Sequence, residues 1–309
     1  MRTAVAETLI EMARADPRVI LLTADLGYMA LEPFAEAFPQ RFFNVGVAEQ
    51  NMIGVATGLA DGGYIPFVYS IAPFASLRTY EFIRNGPILQ HLPVRIIGVG
   101  AGFEYGPAGP SHHGIDDAAA LRPHPGLTIV TPADPAQARA ALVAMRDHAG
   151  PVYFRIGKDD RVSVPGLNAR FGCGRLEIIA QGDDLAIVAM GSIAIEAVEA
   201  AGLLRAHGLS VTLAIASTFN PSPHDDVARL AQAHPLVVTV EAQYVNGGLG
   251  SLVAETIAEL GIGTRLVRIG VRRAPDGRSG SQRYYHHLHE LRAEAIQARV
   301  LTTLAGRAG

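Results

Sequence analysis

Cysteine occurs once in the 309 residues, at Cys173, and tryptophan not at all. A single thiol excludes an intrachain disulfide and a cysteine-based zinc cluster, and it points to a reducing, cytoplasmic setting. Charge is scarce: Asp, Glu, Lys and Arg make up 18% of the chain, against roughly 25% in an average soluble domain. The 26 basic and 29 acidic residues leave a formal charge of -3, so nothing here speaks for nucleic acid or an anionic membrane surface. Long apolar runs are missing too. The richest stretch, 185–204, is broken by Gly191, Ser192, Glu196 and Glu199, whereas a spanning helix needs about 20 nearly unbroken apolar residues. The first 18 residues carry Glu7, Glu11 and Asp16 without an apolar centre, so no secretory leader is expected. Neither Gly-x-Gly-x-x-Gly nor Gly-x-x-x-x-Gly-Lys-Ser/Thr occurs, which removes the main support for dinucleotide and P-loop readings. Without Gly-x-Ser-x-Gly there is no hydrolase elbow either.

What is present is apolar. Hydrophobic residues reach 49% and mean hydropathy is +0.21, enough for large cores and for surface left to bury against a partner. At about 100–200 residues per domain the length suggests two domains. Apolar runs and helical periods alternate along the chain. Strands are expected at 19–22, 65–69, 94–99, 127–130 and 152–156, and helices at 2–15, 48–60, 76–89 and 135–148. Asp134 and Pro135 are a good N-cap and first helical residue. Residues 157–182 hold Gly157, Pro165, Gly166, Gly172, Gly174 and Gly182 with no helical period, and read as a linker. A second alternation follows, with strands at 185–190, 210–215, 236–241 and 264–269. Its helices fall at 193–206, 223–233, 249–260 and 288–304. Repeated strand–helix units imply an α/β fold of two domains, each a mainly parallel sheet covered by helices. The boundaries are 1–160, a linker at 161–182, and 183–309.

Three segments carry candidate chemistry. In Phe43-Asn44-Val45-Gly46-Val47-Ala48-Glu49 a strand-like stretch meets a glycine and an acidic residue opens an apolar helix. A carboxylate there is favoured by the helix dipole alone. It could equally be a carboxyl held at a pocket edge to meet a ligand nitrogen. The segment 100–117 follows a strand and contains Gly106-Pro107-Ala108-Gly109-Pro110-Ser111-His112-His113-Gly114. Long Gly/Pro loops after strands of such sheets are where ligands bind, and paired histidines suit hydrogen bonding or proton transfer. Surface histidines in a flexible loop are the alternative. Adjacent histidines without cysteine or His-x-x-x-His spacing do not support a metal, and Asp276-Gly277 lacks an acidic neighbour for magnesium. The third segment, Arg155-Ile156-Gly157-Lys158, ends a strand with two cations that could meet an anion or merely solubilise the surface.

Taken in order, these segments resemble the pyrimidine-binding and C-terminal domains of transketolase-like, thiamine-diphosphate-dependent enzymes. Such halves occur as a separate small subunit in split transketolases. The resemblance spans the chain. It is strongest from Thr23 to Lys158 and continues in Val238-Thr239-Val240-Glu241 and Gly247-Gly248-Leu249-Gly250. It implies that Glu49 hydrogen-bonds the cofactor's aminopyrimidine ring and that Phe74, in Tyr69-Ser70-Ile71-Ala72-Pro73-Phe74, stacks on it. It implies further that His112, with His113 and Ser111, meets substrate oxygens, and that Asp25 supports the cofactor site. Arg155 and Lys158 would meet an anionic group of the substrate. The family's Gly-Asp-Gly segment for diphosphate and Mg2+ is absent. The resemblance therefore implies a large partner subunit holding most of the thiamine diphosphate and its Mg2+, a heterotetramer, and a sugar or aldehyde substrate.

The sequence also departs from members that use sugar phosphates. Ala108, Gly100 and Met29 stand where those have an aspartate, a phosphate-contacting His or Arg, and a serine; Lys158 replaces an arginine and its bidentate fork. An acceptor other than a simple pentose phosphate is therefore expected. Two other readings share the motifs: the β subunit of a 2-oxoacid dehydrogenase, and a non-catalytic subunit that completes a partner's site.

Overall fold

Continuous apolar runs become the buried strands of two sheets in this computed structural model, which describes residues 1–306. The first half contributes β1 (Val19–Thr23), β2 (Phe42–Asn44), β3 (Ile65–Ile71), β4 (Arg95–Val99), β5 (Thr128–Val130) and β6 (Val152–Ile156). The second contributes β7 (Leu176–Ala180), β8 (Leu185–Met190), β9 (Val211–Ala216), β10 (Thr218–Asn220), β11 (Leu236–Tyr244) and β12 (Arg265–Val271). The sheet orders are β10-β5-β6-β4-β3-β1-β2 and β12-β11-β8-β9-β7. Every pairing is parallel except β10 with β5 and β7 with β9. Strands β1, β3, β4, β6 and β8 are buried at every position, as parallel strands covered on both faces must be.

Local signals explain much of this. Asp134 caps the helix Pro135–Ala144 by accepting from the Gln137 amide at 2.8 Å, and its other oxygen takes the Val164 amide at 3.0 Å. The helix Glu49–Asp61 stops at Gly62, followed by Gly63 at φ 90°.

Three expectations need correction. The helix expected over 76–89 is broken into Ala72–Ser76, Tyr80–Ile83 and a wide turn at Arg84–Ile88 that contains Pro87. Pro87 has no amide to donate. Gly86 also packs so close to Thr57 that an added Cβ would lie 2.7 Å from its hydroxyl. The stretch 161–182 is not structureless, since β7 pairs antiparallel with β9 along its end. The last helix, expected from 288, begins at Ala293 and runs to Ala305, and an unexpected helix, Gln282–Leu288, precedes it, with Glu290 in the left-handed region at φ 57° between them.

Strand β10 was not foreseen, and it matters. It leaves the second half and pairs with β5 at the edge of the first sheet. Nearby, Thr131 Oγ1 donates to the Ala216 carbonyl at 2.9 Å, and Gln137 Nε2 donates to Ser217 Oγ at 2.6 Å. The two halves are thus joined by a ladder and a buried polar cluster.

Candidate active site

The carboxyl ends of β1 and β2 set up the first wall. Asn44 closes β2, and its side-chain oxygen accepts from the amides of Asp25 and Gly46, both at 3.0 Å. Its Nδ2 donates to Asp25 at 3.0 Å. Asp25 and Gly46 have φ of 56° and 75°, so this small network holds two left-handed turns. The chain then enters the helix Glu49–Asp61, whose first residue is Glu49. Its side chain is buried, and Oε2 accepts from Arg78 Nη1 at 2.7 Å, leaving Oε1 for a second donor.

Arg78 connects Glu49 to the rest of the site. Its guanidinium carbon sits 4.1 Å from the centre of the Phe74 ring, a cation–π contact. The half-buried Phe74 ring meets His112 edge-on, with centres 5.0 Å apart and planes at 68°. Ser111 Oγ lies 3.0 Å from His112 Nδ1, so the contact engages that ring nitrogen and not Nε2. His112 belongs to the segment 100–117, pinched at its base by paired bonds of 2.8 and 2.9 Å between Gly102 and Gly114. Glu49, Arg78, Phe74, His112 and Ser111 therefore form one continuous run of contacts. Arg78 was missed from sequence; its signal was its place one helical turn beyond Phe74.

The remaining candidates lie elsewhere. Asp25 touches Asn44 rather than Glu49, so its link to Glu49 is the turn it helps to hold. His113 turns away from its neighbour. It is buried, edge-on to Phe103 and Tyr285 with ring centres 5.2 and 4.7 Å away. Burial lowers its pKa, a pull only partly offset by the Gly106 backbone. Neither His113 nitrogen makes a hydrogen bond of good geometry.

Arg155 is a correction. Its side chain is 1% exposed and ion-paired at 3.0 Å with Asp117, which is fully buried. It also donates to the carbonyls of Gly114 at 2.5 Å and Ala242 at 3.3 Å. The guanidinium clamps the 100–117 segment to β11, with both Nε and Nη2 engaged by the protein. Lys158 lines a different cavity, with Arg2, Glu104 and Asp160, and its Nζ lies 4.7 Å from the centre of the Tyr105 ring. Gly100 has its own structural reason: at φ 85°, an added Cβ would fall 2.1 Å from the Tyr105 ring.

Around the Glu49 turn the surface is apolar and open. Met29 is 94% and Val47 75% exposed, and Tyr28, Phe43, Val55 and Phe82 are exposed as well. Among the described residues no group of three or more His, Cys, Asp or Glu side chains is placed to hold a metal. No helix among them is long and apolar enough to cross a membrane.

Residues 1–161 match the model of the transketolase pyrimidine-binding domain, and residues 174–300 match that of the transketolase C-terminal domain. The chain belongs to the transketolase family. A 6-deoxy-6-sulfo-D-fructose transketolase subunit of Clostridium sp. (strain MSTE9) is 36% identical over 88% of this chain and 84% of its own length. An apulose-4-phosphate transketolase subunit of Actinobacillus succinogenes is 32% identical over 86% of each. A solved split-gene transketolase, described as an inactive β4 tetramer, superposes with a TM-score of 0.87 at 35% identity, covering 98% of this chain and 97% of that one. The chain is thus the small subunit of a split transketolase-like enzyme, a transferase that works with a partner subunit. The 2-oxoacid dehydrogenase reading is not favoured. Transketolase-family domains imply dependence on thiamine diphosphate.

Proposed function

We propose that this subunit transfers a two-carbon ketol unit from a ketose or 2-oxo donor to an aldehyde acceptor other than a simple pentose phosphate, together with a large subunit in a heterotetramer. The observation that carries the reading is the Glu49–Arg78–Phe74–His112 run beside exposed apolar surface. A buried carboxylate with one oxygen uncommitted, next to an aromatic ring, suits a flat, nitrogen-bearing heterocycle, so these residues fit the aminopyrimidine half of thiamine diphosphate. When bound, that cofactor supplies the carbon nucleophile that carries the two-carbon unit.

Glu49 Oε1 would hydrogen-bond a ring nitrogen, while Arg78 keeps Oε2 occupied and the carboxyl oriented. Phe74 would give the ring an apolar face. His112, its Nδ1 engaged by Ser111, directs Nε2 toward a substrate hydroxyl or carbonyl oxygen. His113 and Arg155 shape the loop from behind. No cradle for diphosphate and Mg2+ accompanies Glu49, so we assign that half of the cofactor to the large subunit. Its docking would cover Tyr28, Met29, Phe43 and Val47, which accounts for the apolar composition. A cytoplasmic site of action fits the lone Cys173.

The acceptor reading draws on Ala108, Gly100 and Met29, none of which offers a charge to a phosphate, and on two relatives named for a sulfo-sugar and apulose 4-phosphate. Two measurements test the proposal. Calorimetric titration of thiamine diphosphate should give saturable binding that Glu49→Ala weakens when the large subunit is present, and no Glu49-dependent binding to this chain alone. Turnover of ribose 5-phosphate should not exceed that of ribose by more than about tenfold, since each lost charge-assisted contact is worth roughly 1.5–3 kcal/mol. A larger preference for the phosphate would remove the acceptor assignment.

A further inference from the structure

The second half of the chain carries a cationic cavity that the transfer reaction does not use. It opens at the carboxyl end of the edge strand β12 and is closed by the turn 289–292 and the last helix. Carboxyl ends of strands are where ligands meet sheets of this kind. About 150 Å³ in volume, it is lined by Arg268, Arg272, Arg273, Arg299, His289 and Glu290 among others. The guanidinium groups of Arg272, Arg273 and Arg299 thus outnumber a single carboxylate, while that of Arg268 points to the Val245 carbonyl and Ser251 Oγ at 3.4 and 3.5 Å.

Two of the arginines are held by the fold. The Arg268 side chain lies over Gly250, where an added Cβ would approach its Cδ to 2.7 Å. Arg272 Nη2 donates to the Arg268 carbonyl at 2.7 Å. The side chains of Arg273 and Arg299 make no hydrogen bond or ion pair with any described residue. Some exposed arginines elsewhere find carboxylates, as in Arg139–Glu11 at 2.5 Å and Arg175–Asp226 at 2.7 Å. Gathering unneutralised guanidinium groups in one concavity raises their mutual repulsion and focuses positive potential there. A multivalent anion with several acceptor oxygens relieves both, and the planar guanidinium fork matches phosphate oxygens in pairs.

We propose that this cavity binds a small phosphate-bearing anion. The proposal does not depend on the reading of the Glu49 site. Inorganic pyrophosphate is the probe, titrated calorimetrically into the isolated full-length chain at physiological salt. One saturable site is expected. The double variant Arg273→Gln/Arg299→Gln should weaken it at least tenfold, with unchanged far-UV circular dichroism. Lys158→Gln and Arg78→Gln, which remove cations outside this cavity, should leave the affinity within twofold. The proposal is overturned if no saturable heat appears, if the double variant binds like the wild type, or if Lys158→Gln or Arg78→Gln weakens binding as much as the double variant does.

Discussion

Replacing Asp117 by Asn tests the structural role given to Arg155. Asp117 accepts from Tyr153 Oη at 2.6 Å and from Arg155 Nε at 3.0 and 3.1 Å, with no solvent contact. The substitution keeps the shape and removes the charge. Arg155 can then still donate to the amide oxygen at 117 and to the carbonyls of Gly114 and Ala242, but no negative charge faces it there. Removing one partner of a buried pair costs about 3–5 kcal/mol, because the other charge stays buried without compensation. Arg155→Met should cost a similar amount from the opposite side. The double variant buries neither charge, so its loss should fall short of the sum by about 2–3 kcal/mol. Urea unfolding followed by far-UV circular dichroism gives the three stability changes, and substrate titration of the assembled enzyme gives KM. Stability should fall steeply while KM stays within about twofold in any single variant that still assembles, which is well under one charge-assisted bond. An Arg155→Met protein with an unchanged urea midpoint and a strongly raised KM would refute the reasoning, since Arg155 would then be reaching substrate.

Three other outcomes follow from the same geometry. Gly98→Ala should destabilise by about 1–3 kcal/mol, because the new methyl would meet Tyr153 Oη at 2.4 Å; combining it with Tyr153→Phe should recover part of the loss in the urea midpoint. Burial pushes the Glu241 pKa up to about 7, against the opposing pull of the Gly250 and Leu249 amides and Gln243. The fold therefore favours its neutral form: stability from this group is complete below about pH 4.5 and declines toward pH 7, by up to about 3 kcal/mol. Urea midpoints at pH 5 and 7.5 should show that decline in the wild type and a smaller one in Glu241→Gln; equal declines would reject it. Ser111→Ala should lower kcat about two- to tenfold by freeing the His112 ring, the worth of one hydrogen bond, with the circular dichroism spectrum unchanged.

How far the sequence reaches depends on whether a feature is local. Strand β1 was legible because Val19 to Leu22 is a continuous apolar run, and the helix at Pro135 because Asp134 caps it. Glu49 at a helix start, Phe74 and His112 were readable as candidates from their own short segments, and the fold brings their neighbourhoods into contact through Arg78. Partners set by tertiary structure were not readable. Nothing near Arg155 in sequence marks Asp117 as its counter-ion, so a strand-end arginine looked available when it is enclosed. The crossing of β10 to the first sheet leaves no periodic signal in Thr218–Asn220, since a three-residue strand is too short to carry one. The break at Glu290 escaped for a related reason: a left-handed non-glycine residue has no strong composition mark.

The central claim is that Glu49 is the proton-sharing carboxyl of a half-site completed by the large subunit. Its most direct test is the exchange of the cofactor's C2 hydrogen with solvent deuterium in the assembled enzyme, followed by NMR for wild type and Glu49→Ala. The account predicts exchange at least about 100-fold slower in the variant, within the range of general acid–base catalysis, with folding and assembly intact. Exchange at the wild-type rate in Glu49→Ala would contradict it.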